Sequence, residues 1–366
     1  MAFLELSGIQ KRFGETSAVI DFNLAAERGE FVSFLGPSGC GKTTTLRMIA
    51  GLELPTSGRI LLGGEDVAFK RASHRDIAFV FQLFALYPHM NVRTNIAYPL
   101  RSQGMSRHDV QMRVEEAARI LRIQHLLDRR VSGLSSGDRQ RVALGRAIVR
   151  EPLAFLLDEP LGALDAEFRD VMCGELRALH DRLRATTVYV THDQLEAMAM
   201  ADTIALMNHG VVEQLGTPQD IYDRPVSLFV ADFIGSPPMS FLSFRGHVTP
   251  GDRTVRVNSV DIALPEVREG RADTELVLGV RPEHIELSDH APLRAEVVDA
   301  EYLGTTQIVT LSTVTGARVK ARIPADIDVR PGERTGLKFR PGQLSLFDKA
   351  SGRALRTALH DGGAHG

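Results

Sequence analysis

One stretch, Gly36-Pro37-Ser38-Gly39-Cys40-Gly41-Lys42-Thr43 with Thr44 behind it, has the residue types and spacing to hold a polyphosphate. Its glycines let the backbone turn N–H groups inward around an anion with no Cβ in the way. Lys42 supplies a point charge to the β- and γ-phosphates, and the Thr43 hydroxyl is placed to ligate Mg²⁺. Such a loop needs a buried strand before it and a helix after it. Phe31-Val32-Ser33-Phe34-Leu35 predicts the strand. A helix running to about Ala50, before Gly51, would aim the positive end of its dipole at the ligand. The expectation is a nucleoside triphosphate bound with Mg²⁺.

Five other places carry residues with chemistry. Leu153-Ala154-Phe155-Leu156-Leu157 is a continuous apolar strand ending in Asp158-Glu159-Pro160. A carboxylate pair at the tip of a buried strand suits metal binding by Asp158 and polarisation of a water by Glu159. Gln82 follows the strand pattern Ile77 to Phe81, where its amide would reach Mg²⁺ or a water. His192 ends the strand Thr187 to Thr191, at an edge that opens on a ligand crevice in nucleotide folds. Ser135-Ser136-Gly137-Asp138 opens a helix over Arg139 to Val149, and reads either as an anion site or as an ordinary N-cap. Phe13, after Lys11-Arg12, either stacks on an adenine ring or packs in a core.

The elements that must position these residues follow from pattern. Short alternating strands are expected at Phe3 to Leu6, Ser17 to Leu24 and Glu30 to Leu35. Between about residues 83 and 152 the pattern turns helical, as in Val110 to Ile123 with its charged face. Ile204 to Met207 and Val211 to Gln214 form a hairpin-like pair around Asn208-His209-Gly210. Composition shifts at Gly235-Ser236-Pro237-Pro238, and beyond it short strands separated by Gly, Pro and Asp turns suggest a small β-barrel. Residues from about Ala358 read as a disordered tail.

At 366 residues and 43% hydrophobic content the chain suits two domains with sizeable cores. A formal net charge of −3 argues against a general binder of nucleic acid or anionic membrane. Cys40 and Cys173 have neither metal-ligand nor disulfide spacing, which suits a reducing cytoplasm. No apolar run approaches 18 residues, so a membrane role would come through a partner.

With these motifs in this order, the chain resembles an ATP-binding cassette (ABC) ATPase over essentially its whole length. It looks most like the ATPases of sugar importers of the maltose and glycerol-3-phosphate type. Phe84-Ala85-Leu86-Tyr87-Pro88-His89-Met90, Tyr189-Val190-Thr191-His192-Asp193-Gln194 and Phe233-Ile234-Gly235-Ser236-Pro237-Pro238-Met239 carry that likeness. So does Gly279-Val280-Arg281-Pro282-Glu283-His284, similar to the signature of a C-terminal OB-like (TOBE) regulatory domain. The resemblance implies an α/β P-loop NTPase core with an inserted helical subdomain (about 83–152), together spanning 1–235. An all-β OB-like barrel over 236–357 and a tail over 358–366 would follow. It implies ATP and Mg²⁺, with Thr43, Gln82 and Asp158 around the metal. Phe13 would stack on adenine, Gln82 would be the Q-loop sensor, Glu159 the catalytic base and His192 the switch residue. Asp165 would be the D-loop acid at the dimer contact. Two such subunits sandwich two ATP molecules head to tail, each between one P-loop and the other subunit's signature helix. Transmembrane permease subunits would dock near Gln82 to Met90, with an extracytoplasmic solute-binding protein involved indirectly. The chain would then sit on the cytoplasmic face of the membrane as a peripheral subunit.

One departure stands out. The family signature Leu-Ser-Gly-Gly-Gln reads here Leu134-Ser135-Ser136-Gly137-Asp138. Ser135 and Gly137 are kept, whereas Ser136 adds a side chain and Asp138 a carboxylate near the expected ATP. Either both point outward, or the chain brings a weak signature to a heterodimer with a second ATPase. A further class is a regulatory binding protein acting through the C-terminal barrel. A nucleic-acid role is disfavoured, because residues 236–366 hold seventeen basic and seventeen acidic residues and only five Phe and Tyr.

Overall fold

The computed structural model describes residues 2–162, 164 and 166–361, and it divides between Pro218 and Gln219 into two compact units. The first begins with strands β1 (Leu4–Phe13) and β2 (Thr16–Ala26), which pair antiparallel around the turn that Gly14 makes possible. Both are longer than expected, because left-handed backbone at Gly8 and Asp21 lets each strand bulge and continue. Strand β3 (Phe31–Leu35) is buried at every residue, as its apolar run predicts, and leads through the phosphate loop into helix α1 (Lys42–Ala50). Gly51 ends α1 in left-handed backbone, where a glycine belongs.

Strands β4 (Ser57–Leu62) and β5 (Glu65–Asp66) complete an antiparallel sheet in the order β2-β1-β4-β5. The chain then enters the central sheet at β6 (Ile77–Val80). Three helices follow: α2 (Val92–Ser102), α3 (Arg107–Ile120) and α4 (Ser136–Ile148). Asn91, Ser106 and Ser135 cap them in turn, each side chain accepting from a backbone N–H three residues on. The expected helical segment is therefore present. Strand β7 (Ala154–Asp158), helix α5 (Ala166–Leu183), strand β8 (Thr186–Thr191), helix α6 (Gln194–Met200), and strands β9 (Thr203–Asn208) and β10 (Val211–Gly216) close the unit. The central sheet runs β10-β9-β3-β8-β7-β6, parallel except for the β9–β10 hairpin. One core lies under the antiparallel sheet and α1 (Phe22, Phe34, Leu46); another joins the helical segment to the sheet (Ile96, Leu144, Phe155).

The second unit starts 17 residues earlier than the expected break after 235. One contributor is Arg281, which is buried at 2% exposure. Its guanidinium donates to the carbonyls of Tyr222 (2.7 Å) and Ile234 and stacks 4.1 Å from the Tyr222 ring centroid. Residues around 222–234, including helices α7 (Pro218–Asp223) and α8 (Leu228–Phe233), are thereby tied to the strands that follow. Those strands form three antiparallel groups around one apolar core that includes Leu242, Val257, Leu278, Val309 and Leu346. The largest group runs through Ile285–Leu287, Arg334–Phe339, Leu293–Tyr302, Thr306–Thr313 and Arg318–Pro324. The expected small β-barrel is the observed architecture. The expected tail begins too early: Ala358–His360 forms a 3-10 turn capped by Thr357, and Asp361 pairs with Arg268 at 2.7 Å. The remainder of that tail, 362–366, lies outside the described residues.

Candidate nucleotide site

Four neighbouring strands deliver the candidate residues to one sheet edge. Register pairs Leu35 of β3 with Thr191 of β8, Asp158 of β7 with Val190 of β8, and Val80 of β6 with Leu157 of β7. The phosphate loop, Asp158-Glu159, His192 and Gln82 therefore leave the sheet side by side. That is the crevice at the carboxyl ends of parallel strands where ligands bind.

The loop is built around its glycines and its lysine. Gly36 has φ +151°, and a Cβ there would overlap the Met207 carbonyl oxygen at the end of β9. Gly39 has φ +80° with open space where a Cβ would point. Lys42 is 4% exposed, and its ammonium donates to the carbonyls of Gly36 and Pro37, both at 2.8 Å. The loop thus wraps the charge that an anion would meet. Helix α1 has Gly41 at its N-cap, so it has no side-chain cap, and no acidic residue lies in its first turn. Its first N–H groups, those of Lys42, Thr43 and Thr44, are left for a ligand to satisfy. Cys40 is buried with its sulfur 3.7 Å from Lys42 Nζ, and burial pushes its thiol pKa up. Ser38, by contrast, is an exposed position of the loop.

Asp158 and Glu159 have different environments. Asp158 is buried, accepts a 2.9 Å hydrogen bond from the Thr43 hydroxyl, and has its pKa raised by desolvation. Glu159 sits in left-handed backbone at φ +43°, held by its N–H donating to the Val190 carbonyl at 3.0 Å. Its carboxylate accepts from Gln82 Nε2 at 3.4 Å, and His192 Nδ1 lies 3.3 Å from the same oxygen. Three candidates from three strands thus meet at one oxygen atom. The donor set also suits a hard divalent cation. Thr43 Oγ1 and Asp158 Oδ1 are oxygens 2.9 Å apart beside the phosphate loop, and among the described residues no cluster of three or more His, Cys, Asp or Glu offers an all-protein cage. Mg²⁺ favours this arrangement, with few protein ligands and the rest from phosphate and water.

Phe13 ends β1 half exposed, with Lys11 Nζ 4.7 Å from its ring centroid. It is not a core residue, so its ring is open to stacking. Ser135 and Gly137 stand elsewhere, at the start of α4, where the sequence allows either an anion site or an N-cap. Ser135 does cap the helix, its Oγ accepting from Asp138 N at 3.1 Å. Its hydroxyl also donates to Asp138 Oδ2 at 2.7 Å, and Arg141 reaches Asp138 at 3.4 Å and Glu175 at 3.2 Å. Asp138 therefore turns back onto its own helix. Asp165 lies outside the described residues.

Two supporting residues escaped sequence reasoning. Arg75, 1% exposed, donates to the carbonyls of Met48 (2.6 Å) and Ile49 (2.8 Å) at the end of α1, and to those of Ala68 and Lys70. Burial lowers its pKa to about 10. Glu196, 4% exposed, accepts from the hydroxyls of Tyr189 (2.7 Å) and Thr191 (2.6 Å) and so braces the turn that carries His192. A buried charge on a short helix has no sequence signature. Its one visible clue was an acid four residues after His192.

Comparison with known proteins fits this geometry. The ABC transporter family model matches residues 19–162, the MalK OB fold domain model 235–285 and the TOBE domain model 278–347. An uncharacterised ABC transporter ATP-binding protein, y4oS of Sinorhizobium fredii, is 46% identical over 97% of this chain and 95% of its own length. The trehalose/maltose import ATP-binding protein MalK of Thermococcus litoralis is 44% identical over 97% of this chain and all of its own length. The sn-glycerol-3-phosphate import ATP-binding protein UgpC 2 of Agrobacterium fabrum is 44% identical over 98% of this chain and 95% of its own. Among solved structures, cbiO1 of Clostridium perfringens, part of an ABC transporter complex, superposes with a TM-score of 0.57 at 27% identity. That likeness covers 60% of this chain and 90% of cbiO1. An ATP-binding cassette dimer, MJ0796 with ADP and Pi, gives 0.52 at 30% identity over 59% and 98%. Motifs, sheet edge and relatives agree: this chain belongs to the ABC transporter family as an ATP-binding, ATP-hydrolysing subunit.

Proposed function

We propose that the chain powers uptake of a sugar or sugar-like compound by closing, with a second copy, around two ATP molecules. The observation that carries the catalytic part is the meeting of Gln82, Glu159 and His192 beside the Thr43–Asp158 pair. The solute class rests on relatives named for trehalose/maltose and sn-glycerol-3-phosphate import.

In this reading Phe13 stacks on the adenine, and the N–H groups from Gly39 to Thr44 hold the phosphates. Lys42 gives up its contacts with the loop carbonyls and turns its charge to the β- and γ-phosphates. Thr43 and Asp158 would hold Mg²⁺, with Gln82 in reach; the ion would supply charge neutralisation of the transferred phosphoryl group. Glu159 accepts the proton of the attacking water, and the backbone bond to Val190 fixes where it does so. His192, beside the same carboxylate oxygen, orients that water toward the γ-phosphate. Ser135 and Gly137 of the partner copy close the site from the other side. Permease subunits would dock over Gln82 to Met90 and hold the chain at the cytoplasmic face of the membrane. Among the described residues no helix is long and apolar enough to cross a membrane.

A homodimer is favoured over pairing with a different ATPase. The Asp138 charge is held by Ser135, Arg141 and the helix N-terminus, which blunts its repulsion of ATP. The test is Glu159→Gln, which should bind ATP without hydrolysing it, with its mass measured in solution with and without Mg-ATP. A dimer only with Mg-ATP supports the reading. A monomer that still binds ATP, and pairs only when another ATPase is added, would sink the homodimer.

A further inference from the structure

A second site lies at the opposite end of the same strands. A cavity of about 640 Å³ opens where α3 and α4 meet the starts of β7 and β8. Its floor is apolar: Ile148, Phe155 and Leu183 line it and also line a smaller adjoining crevice of about 20 Å³. The size falls inside the range of about 300–1,000 Å³ typical of small-molecule sites.

The rim is polar, and its charges are unevenly matched. Glu151 pairs with Arg113 at 3.5 Å, and Glu116 with Arg119 at 2.6 Å, so both rim acids are engaged. Arg28 and Arg184 are exposed, and among the described residues neither has an acidic partner. They sit on adjacent turns. Gly29 N donates to Thr186 Oγ1 at 3.0 Å, and a Cβ on Gly29 would lie 3.2 Å from the Arg184 carbonyl oxygen. Arg184 itself holds left-handed backbone at φ +49°, and Arg28 lies 5.0 Å over the Phe3 ring. Two cations thus flank a mouth whose depth is hydrocarbon.

We propose that this cavity binds an amphipathic anion, its apolar tail on Ile148, Phe155 and Leu183 and its acid group between Arg28 and Arg184. A neutral polar ligand would leave the apolar floor unused, and an inorganic anion would gain nothing from it. The site is separate from the nucleotide edge. Thr186 and Thr191 bound β8, and at about 3.3 Å per residue the two ends are roughly 16 Å apart. An occupant would bridge the helical segment, through α3 and α4, to the central sheet. The inference does not depend on the transported solute or on dimer closure.

The test is calorimetric titration of the full chain with decanoate, decyl phosphate, decanol and acetate, each below its micelle concentration. Saturable binding of decanoate or decyl phosphate at one site per chain is expected, with the tighter of the two naming the acid group. Decanol and acetate should each bind about tenfold more weakly or not at all. Arg28→Gln with Arg184→Gln, at two exposed positions outside the nucleotide site, should weaken decanoate about tenfold while ATP binding stays unchanged. Absence of saturable binding by both anions, equal affinity for decanol, or indifference to the double substitution would each overturn the proposal. The comparison of decanoate with decanol needs no variant, so a folding defect in the double mutant cannot rescue it.

Discussion

The Thr43 hydroxyl donates a 2.9 Å hydrogen bond to Asp158 Oδ1, joining the first turn of α1 to the end of β7 across 115 positions of sequence. The phosphate-loop sequence and the acidic tip of β7 are thereby in direct contact. Burial drives the Asp158 pKa up, the Thr43 bond and the charge of Arg47 pull it down, and the neighbouring Glu159 charge raises it again. The net direction is upward.

That direction sets a pH dependence. A carboxyl whose folded pKa is raised contributes stability below its unfolded pKa and loses it as pH rises through the folded one. Asp158→Asn, which can still accept from Thr43, should therefore raise the Tm of the nucleotide-free protein near neutral pH. It should also lower Mg²⁺-dependent hydrolysis by roughly a hundredfold. In the wild type, Mg²⁺ affinity should fall on acidification at a higher pH than an ordinary aspartate would give, since proton and metal compete. Titrations of Mg²⁺ at several pH values check this, and a pH-independent affinity would contradict it.

The glycines of the loop should not be equivalent. At Gly39 an alanine meets no atom, and its left-handed backbone costs about 1–2 kcal/mol. At Gly36 the added methyl meets the Met207 carbonyl oxygen, so the loop or the end of β9 must move. Gly36→Ala should cost over about 3 kcal/mol and lose ATP binding, whereas Gly39→Ala should fold with a small loss. Denaturant midpoints and nucleotide affinity of both variants decide it; equal losses would remove the steric argument.

What the sequence made legible was local. The phosphate loop and the Asp158-Glu159 strand tip each lie within a dozen residues, where spacing and periodicity speak directly. Phe13 could not be resolved that way, because only exposure separates a stacking ring from a core ring. Arg281 shows the same limit on a larger scale: reaching back to Tyr222 and Ile234, it helps tie residues before the composition break at 235 to the second compact unit. The turn at 358–361 is held by Arg268, ninety-three positions upstream. Long-range partners of charged residues leave no mark on the pattern of either segment.

Asp138 yields a prediction that separates charge from shape. Its carboxylate accepts a hydrogen bond from the Ser135 hydroxyl at 2.7 Å and is held by Arg141, itself pinned by Glu175. Ser136→Gly with Asp138→Gln should leave the ATPase rate of the pure protein within about threefold, since the carboxylate is already compensated. Arg141→Ala should instead raise the KM for ATP, because it frees the Asp138 charge near the signature helix, and kcat should change less. If the double variant were strongly activated, the compensated charge would not be neutral in effect and the weak-signature reading would return.

Glu196 carries the last prediction. It accepts from Tyr189 and Thr191, Thr191 Oγ1 accepts from Asp193 N at 2.9 Å, and Arg169 reaches Asp193 at 2.9 Å and Glu196 at 3.6 Å. His192 sits between Thr191 and Asp193, so this network fixes its turn from both sides. Burial raises the Glu196 pKa, the bonds from Thr191 and Tyr189 lower it, and the Asp193 charge adds to the rise. Glu196→Ala strands two buried hydroxyls and should cost about 2–4 kcal/mol, with hydrolysis falling while ATP still binds. Glu196→Gln keeps an acceptor oxygen and should cost about 1 kcal/mol. Because the folded pKa is raised, the wild type loses this contribution as pH increases through that pKa, whereas glutamine does not titrate. The stability advantage of wild type over Glu196→Gln should therefore shrink between about pH 5 and about pH 8. Denaturant midpoints at the two pH values measure it. An advantage that grows with pH would mean Glu196 is held as a stabilised carboxylate, with Arg169 outweighing burial.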